Sequence, residues 1–467
     1  MIVKNKAALV RRGPSLASDV VGELPKGTLI ECGHAVWHDG IARREVLAPL
    51  KGWASAKCLA DAPVLPPPPP DAVMDGGDPD AIAAMKDRLE AAAAAAEASS
   101  RLPEEDEEPP PRLWALSDVH TDHSENLDWL RQMCARTDFR RDGLILAGDV
   151  SSRFSILRET LQLCKRAFAD VSFVPGNHDI WVTRGEPWAD SLSKLDAVDA
   201  LCDELGVRRT PAIVGGCVVA PLAAWHHAAF DREPDVVGWT GLPPASQVIS
   251  DFYLCKFPGL SQTDDSVAAA LDARNDEGAI AALRRAHPTL PLVTFSHFVP
   301  RPELVPEKRY LFVPALAKAV GSTFLERRVA RLKPDVHVFG HTHFGWDATL
   351  DGTRYVQACL AYPRERRDRL TTVAAVCCPA DAPETCRPCS PFPVAPAPLL
   401  LRERGAFVPR YRCGWSAFYD VNPRRPDLTH MLPPYVAKQY SCVPGVGEVG
   451  WGEGVVTPAS AMLSIST

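Results

Sequence analysis

The chain has 467 residues, with 51 Lys and Arg against 58 Asp and Glu, and a formal net charge of -7 at pH 7. This length suffices for one large domain and a smaller one. A mildly acidic balance provides no overall positive field for a polyanion, so we do not expect nucleic acid as a partner. No apolar stretch approaches the roughly 18 residues that span a bilayer, and the N terminus lacks the apolar segment of a signal peptide. We therefore expect a cytoplasmic protein, with no membrane partner, whose 14 cysteines are mostly thiols.

Residues 1–60 alternate short apolar segments with Gly and Pro turns, a spacing typical of a small all-β barrel. The motifs Arg12-Gly13-Pro14-Ser15, Pro25-Lys26-Gly27-Thr28 and Gly52-Trp53-Ala54 resemble those of the bacterial Src-homology-type (SH3-like) barrel. That resemblance implies a binding or targeting module with a protein partner, and a purely structural appendage is the alternative.

Residues 61–111 have the composition of a linker. A proline run at 66–70 favours a stiff, extended chain, an alanine-rich stretch at 80–101 favours a solvated helix, and an acidic block occupies 104–108. Because this composition cannot build a hydrophobic core, we predict a spacer.

The next segment contains short apolar runs that are bounded by breakers, as expected of buried strands. The runs are Leu113–Ser117, Leu144–Ala147, Val171–Val174, Leu292–Ser296 and Val336–Phe339. Polar residues follow each run: Asp118-Val119-His120, Gly148-Asp149, Gly176-Asn177-His178-Asp179, His297 and Gly340-His341-Thr342-His343. Ligands of open α/β sheets bind at the carboxyl ends of the strands, so we expect these side chains to converge. Imidazole nitrogens and carboxylate or amide oxygens suit borderline metal ions, and a bridging carboxylate can hold two of them.

These motifs, in this order, resemble the calcineurin-like metallophosphoesterase superfamily across about residues 112–370. The resemblance implies an α+β fold, a four-layer α/β/β/α sandwich, for which we predict a domain over 112–436. It further implies that Asp118, His120 and His343 hold one metal, that Asp149 bridges, and that Asn177, His297 and His341 complete the second. His178 would be the general acid and Asp179 would orient it. The two ions would be Mn, Fe or Zn, and the nucleophile a hydroxide that bridges them.

Other polar residues are candidates for substrate contacts. Arg153 lies where related serine/threonine phosphatases place a phosphate-binding arginine, and His227 and Arg301 are further candidates. Core packing and surface salt bridges are the alternative explanations. His337, within an apolar run, is expected to be a core histidine with satisfied hydrogen bonds.

The C-terminal third gives weaker signals. We predict a Cys/Pro-rich surface insertion at 371–397, and the alternative is a zinc site formed by Cys377, Cys378, Cys386 and Cys389 within it. A strand is predicted at Leu399–Leu401. Residues 437–467 are predicted to be a tail, poorly ordered over the last two dozen residues.

The resulting function hypothesis is a metal-dependent phosphohydrolase that acts on a small phosphorylated molecule. The alternatives are a nucleic-acid phosphodiesterase or nuclease, and a non-catalytic protein-binding scaffold on the same fold. Further stretches resemble a group of single-domain members of the superfamily, namely Ser117–Asp122 leading into Glu125-Asn126-Leu127, Val338–Asp347 and Tyr362–Arg366. They do not identify the substrate.

Overall fold

The computed structural model describes residues 109–135, 139–368 and 398–457, together with the backbone of strands within 2–60 and at 377–379. The side chains of 366–368 and 412 are outside the description. The chain divides into two compact units, residues 1–106 and 107–467.

The first unit contains β-strands in the segment for which the sequence predicts a barrel. They are β1 (Ile2–Val3), β2 (Ala7–Arg11), β3 (Val20–Pro25), β4 (Glu31–His38), β5 (Ile41–Ala48), β6 (Gly52–Ser55) and β7 (Leu59–Ala60). Five of them form an antiparallel sheet in the order β3-β2-β6-β5-β4, and β1 pairs with β7. The barrel and its binding role stay predictions. The predicted linker lies outside the described residues up to position 108.

The second unit mixes strands and helices. Its strands are β8 (Leu113–Leu116), β9 (Gly143–Ala147), β10 (Asp170–Val174), β11 (Ala212–Val214), β12 (Cys217–Pro221), β13 (Trp239–Thr240), β14 (Leu292–Phe295), β15 (Val336–Phe339), β16 (Trp346–Leu350), β17 (Thr353–Gln357), β18 (Cys377–Pro379), β19 (Leu399–Glu403), β20 (Ala406–Phe407), β21 (Tyr411–Arg412), β22 (Met431–Leu432), β23 (Ser441–Cys442) and β24 (Glu448–Val449). Its α-helices are α1 (Ser124–Cys134), α2 (Phe154–Ala167), α3 (Ser191–Leu205), α4 (Ala245–Val248), α5 (Asp251–Leu254), α6 (Ser266–Asp272), α7 (Glu277–Ala286), α8 (Thr323–Leu332), α9 (Pro363–Asp368), α10 (Gly414–Val421) and α11 (Pro434–Ala437). The strand predictions for this unit are confirmed, with shifts of one residue at some ends and a longer β19.

Two sheets face each other across an apolar layer. The first has the strand order β10-β9-β8-β19-β20, and the second has the order β11-β12-β14-β15-β17-β16. Strands β8, β9 and β10 are mutually parallel, as are β12, β14, β15 and β17. Parallel strands end at the same edge, which is why the polar residues after β8, β9, β10, β14 and β15 meet.

Side-chain alternation along each strand separates the layers. On β8, Leu113 and Ala115 pack between the sheets, whereas Trp114 and Leu116 face helices α1, α2 and α3. Helices α7, α8 and α10 cover the outer face of the second sheet. The fold is therefore the mixed α/β type expected of a metallophosphoesterase. None of the described helices is long and apolar enough to cross a membrane.

The C-terminal prediction was wrong for part of the tail. Residues up to 457 include β23, which pairs with β13, and β24, which pairs with β22. Trp451 packs against the apolar cluster on the outer face of the second sheet, and Tyr440 Oη donates to the carbonyl of Phe312 at 2.6 Å. Aromatic anchors of this kind order a segment that lacks a periodic apolar pattern. The side chains of the Cys377–Cys389 cluster lie outside the described residues.

Candidate metal centre

The polar residues at the strand ends have an unusual backbone conformation. Asp118, His120, Asp149, His341 and His343 all have positive φ, between 44° and 78°. Non-glycine residues rarely adopt this left-handed region, and when they do they concentrate at functional sites. The sharp turns return the chain over the sheet edge and direct these side chains to one point.

One group of potential ligand atoms belongs to residues that follow strands β8, β9 and β15. Asp118, His120, Asp149 and His343 each offer an atom, and these atoms all lie within 4.8 Å of one another. Nε2 of His120 is 2.9 Å from Nε2 of His343, which in turn is 3.6 Å from Oδ1 of Asp118. All four residues are buried.

A second group shares one residue with the first. Asp149, His297 and His341 offer atoms within 4.8 Å of one another. Asn177 Oδ1 joins them, at 2.9 Å from Nε2 of His297 and 3.0 Å from Nδ1 of His341. Oδ2 of Asp149 is 3.4 Å from Nε2 of His297 and 3.9 Å from Nε2 of His120. The structure thus brings together all seven residues that the family resemblance implies as ligands, with Asp149 between the two groups.

The pKa shifts of these buried residues favour the binding of metal cations. Burial, followed by the nearby carboxylates of Asp179 and Asp118, raises the pKa of Asp149 well above its usual value. Burial also lowers the pKa of His120 and His297, so their imidazoles are neutral and available to bind metal. Clustered carboxylates and imidazoles are a fitting donor set for divalent metals.

Three of the histidines use their second ring nitrogen to contact a fixed oxygen. Nδ1 of His297 is 3.1 Å from the carbonyl of Ala147, Nε2 of His341 is 2.9 Å from the carbonyl of Ala319, and Nδ1 of His343 is 2.6 Å from Glu365. Such contacts set the tautomer and the orientation of ligand imidazoles. Glu365 lies in the Tyr362–Arg366 stretch, but its spacing in the sequence gave no sign of this role.

His178 lies beside the two groups but belongs to neither. Its Nε2 is 3.8 Å from Oδ2 of Asp149 and 3.3 Å from Oη of Tyr362, and its ring stacks on Trp181 with centroids 3.5 Å apart. Burial lowers the pKa of His178 to about 3. The imidazole is therefore neutral and positioned over the edge of the site.

The expected role of Asp179 needs correction. Its Oδ1 accepts hydrogen bonds from the backbone N–H groups of Val150 and Ser151, and its Oδ2 accepts one from Gly176. Since these contacts use both oxygens, the carboxylate fastens the loop after β9 to the loop after β10. It makes no hydrogen bond to the imidazole of His178, within the described part of the chain. Burial raises the pKa of Asp179 to about 6.

Sequence reasoning missed a buried carboxylate, Asp251. Its Oδ1 accepts hydrogen bonds from Nδ2 of Asn177 and Nε1 of Trp181, both at 2.7 Å, and its Oδ2 is 3.2 Å from Nε2 of His226. Although burial opposes ionisation, hydrogen bonding to His226 and Trp181 and the nearby imidazoles hold the pKa of Asp251 well below its usual value. No motif surrounds this residue, so the sequence carried no signal for it.

A cavity of about 420 Å³ opens beside the candidate metal ligands. Its polar side is formed by the site itself, including His178, Asp251 and Tyr362. Its other walls are mainly apolar and come from Val248, Ile249, Tyr310, Leu311, Phe312, Val313, Leu316, Phe344 and Trp415. Among the residues that the structure describes, the lining includes no lysine or arginine.

The three predicted substrate contacts lie elsewhere, and none lines this cavity. Arg153 is bound to Asp122, with Nε 3.1 Å from its Oδ1. His227 is buried and contacts both Asp265 and Thr323, which makes it a structural residue. Arg301 pairs with Glu303 and Asp351 at the surface. Each of the three therefore has protein partners of its own, away from the cavity.

The fold and the paired ligand groups together define a metallophosphoesterase. The family model of calcineurin-like phosphoesterases matches residues 111–345, and the chain belongs to that family. It is a hydrolase that acts on phosphoric ester bonds, in a family that uses divalent metals.

A curated relative is the [acyl-carrier-protein] phosphodiesterase PptH of Mycobacterium tuberculosis, 30% identical over 271 residues that span 55% of this chain and 80% of the relative. The crystal structure of the phosphopantetheinyl hydrolase PptH from the same organism matches with 27% identity and a TM-score of 0.45, over 56% of this chain and 93% of that one. A cold-active protein-tyrosine phosphatase of a Shewanella species matches with 14% identity and a TM-score of 0.21, over 70% of this chain and 90% of that one.

Proposed function

We propose that the chain hydrolyses phosphodiesters at a two-metal centre. In this proposal Asp118, His120 and His343 hold one ion, Asn177, His297 and His341 hold the other, and Asp149 bridges them. The observation that carries it is the shared position of Asp149 between two groups of ligand atoms. When bound, two ions of this kind supply a hydroxide nucleophile at neutral pH and neutralise phosphate oxygens.

His178 is the proposed general acid. Its Nε2 faces the site between Asp149 and Tyr362, within reach of an ester oxygen that is bound there. Because its imidazole is neutral in the free protein, it becomes an effective acid only when the negative charge of a bound phosphate raises its proton affinity. Burial raises the pKa of Tyr362, so this phenol keeps its proton and can hydrogen-bond to the imidazole or to substrate.

The charge of the cavity favours a diester over a monoester. A phosphodiester carries one negative charge, whereas a monoester carries up to two at neutral pH. Beyond the two proposed ions, the described lining has no lysine or arginine to balance a second charge, and Asp251 and Glu365 are acidic residues near the proposed ligands. The same lack of cations disfavours a nucleic-acid substrate, whose neighbouring phosphates need basic contacts.

The substrate that we propose is a phosphopantetheinylated carrier protein, as the name of the curated relative indicates for that protein. The pantetheine arm is an uncharged, flexible chain linked through phosphate. A cavity with one polar end and mainly apolar walls suits such an arm.

The test combines metal analysis with hydrolysis assays. We expect about two metals per chain, chelator-sensitive hydrolysis of an aryl phosphodiester, and a lower rate on the matched monoester. Incubation with a holo-carrier protein should release the arm and leave the apo form, which mass spectrometry detects. A folded protein that binds no added Mn²⁺ or Zn²⁺ would refute the metal-dependent mechanism. Hydrolysis of the aryl phosphodiester without cleavage of the carrier protein would refute only the proposed substrate.

A further inference from the structure

Asp251 lies in the insertion between β12 and β14, at the start of α5, and its side chain is fully buried against the site. We propose that Asp251 is a positioning residue, which fixes the ligand amide of Asn177 and the ring on which His178 stacks. This inference rests on the proposed metal-dependent function.

The first step concerns the orientation of the amide. A carboxamide presents an oxygen on one side and an NH₂ group on the other, and the two ends have almost the same shape. Only the oxygen can bind a metal. Oδ1 of Asp251 accepts the indole N–H of Trp181, which can only donate, and the same oxygen therefore selects the NH₂ end of Asn177 at 2.7 Å. The amide oxygen is then left facing His297 and His341.

The second step concerns the general acid. The oxygen of Asp251 that binds Asn177 also accepts the indole N–H of Trp181 at 2.7 Å. The Trp181 ring stacks on His178 with an interplanar angle of 29°. One carboxylate oxygen therefore holds both a ligand of the second group and the platform beneath the acid.

The third step concerns the hydrogen bonds that the conservative variant Asp251→Asn retains. In Asp251→Asn, the amide oxygen can still accept from Asn177 and Trp181 while its NH₂ group faces His226. His226 can accept from that NH₂ group only if its proton moves from Nε2 to Nδ1, a buried atom without a hydrogen-bond partner among the described residues, so part of the loss should remain in this variant. Asp251→Ala removes both contacts and frees the amide of Asn177 to rotate.

The experiment is a Mn²⁺ titration of the full-length metal-free protein by calorimetry, with circular dichroism to verify folding. Wild type is expected to bind two ions. Asp251→Ala should weaken one of the two sites by about 10- to 100-fold, the usual effect of removing a group that orients a ligand. Asp251→Asn should recover most of that loss, to within about tenfold of wild type. If the alanine variant does not fold, Asp251→Ser, too short to reach Asn177, replaces it.

The matched control is Asp265→Ala in the same insertion. It removes a carboxylate that contacts a buried histidine, His227, but lies away from the cavity. We expect normal Mn²⁺ binding at both sites. Wild-type affinities in Asp251→Ala, or an equal loss in Asp265→Ala, would overturn the positioning role. Absence of Mn²⁺ binding by wild type would instead refute the proposed function.

Discussion

Substitution of Gly176 tests the proposal that Asp149 is shared by the two groups of ligand atoms. A methyl group added at Gly176 would meet Oδ1 of Asp149 at 2.1 Å, its backbone nitrogen at 2.6 Å and Cε1 of His297 at 2.8 Å. Since Cβ atoms essentially never approach closer than 3.0 Å, Oδ1 would have to retreat from 2.1 Å by about 0.9 Å. Oδ2 of Asp149, the oxygen that faces Nε2 of His297 and of His120, belongs to the same rigid carboxylate and would move with Oδ1. Because metal–ligand distances tolerate only roughly 0.2 Å, the Gly176→Ala variant should lose metal at both groups.

The expected magnitudes follow from that displacement. Overpacking should cost about 1–3 kcal/mol of unfolding free energy, and a misplaced ligand should reduce diester turnover by about 100-fold or more. Urea denaturation in chelator measures the first effect, and Mn²⁺ titration with steady-state kinetics measures the second. Gly278→Ala is the control, because Gly278 lies in α7 and a methyl group there meets only Asp276 Oδ1 at 3.1 Å. It should be neutral or more stable by up to about 1 kcal/mol. Two tightly bound ions and normal turnover in Gly176→Ala would refute the shared position of Asp149.

Further predictions concern the proposed general acid His178, the contact between Glu365 and His343, and the core histidine His337. His178→Gln should lower diester turnover by about 100-fold or more while Mn²⁺ binding persists, and unchanged kcat would exclude it as the acid. Glu365→Gln should weaken Mn²⁺ binding by about 10- to 100-fold, and full affinity by calorimetry would contradict the role of Glu365 in orienting His343. Burial lowers the pKa of His337 from 6.5 to about 3, so the unfolded state binds more protons and stability falls as pH drops below about 6.5. Between pH 7 and pH 5, His337→Gln should lose about 2 kcal/mol less than wild type in urea denaturation, and an equal loss would refute this reasoning.

The strands and the polar residues at their ends were predictable because they carry independent local signals, whereas the assignment of those residues as metal ligands came from the family resemblance. A buried strand is a short apolar run, and each run that leads to the site ends in a residue that metals bind. His337 was predicted as a core histidine for the same reason, and the structure confirms contacts with the hydroxyls of Thr294 and Ser296. These features depend on a few neighbouring positions and on the alternation of side chains along a strand.

The surroundings of the ligands were not predictable in this way. Asp251, Tyr362 and Glu365 reach the site from an insertion, a loop and a short helix whose paths depend on tertiary packing. The sequence gave no reason to select Asp251, and although the Tyr362–Arg366 stretch resembles a group of the superfamily, nothing in it indicated the contacts of Tyr362 or Glu365. Conversely, Arg153 and Arg301 had suitable positions along the chain, but acidic neighbours bind their guanidinium groups.

The backbone at the ligands shows how this packing serves the site. Each non-glycine residue in the left-handed region costs roughly 1–3 kcal/mol, and Asp118, His120 and Asp149 are among the five candidate ligands that adopt it. The turns brace one another, because the N–H of Asp118 donates to the carbonyl of Gly148 and that of His120 donates to the carbonyl of Asp149. The two sheets therefore hold the candidate ligands together despite a backbone strain that is large compared with a typical folding stability of about 5–15 kcal/mol. Because the fold holds these turns in place before a metal binds, metal binding should require little backbone rearrangement.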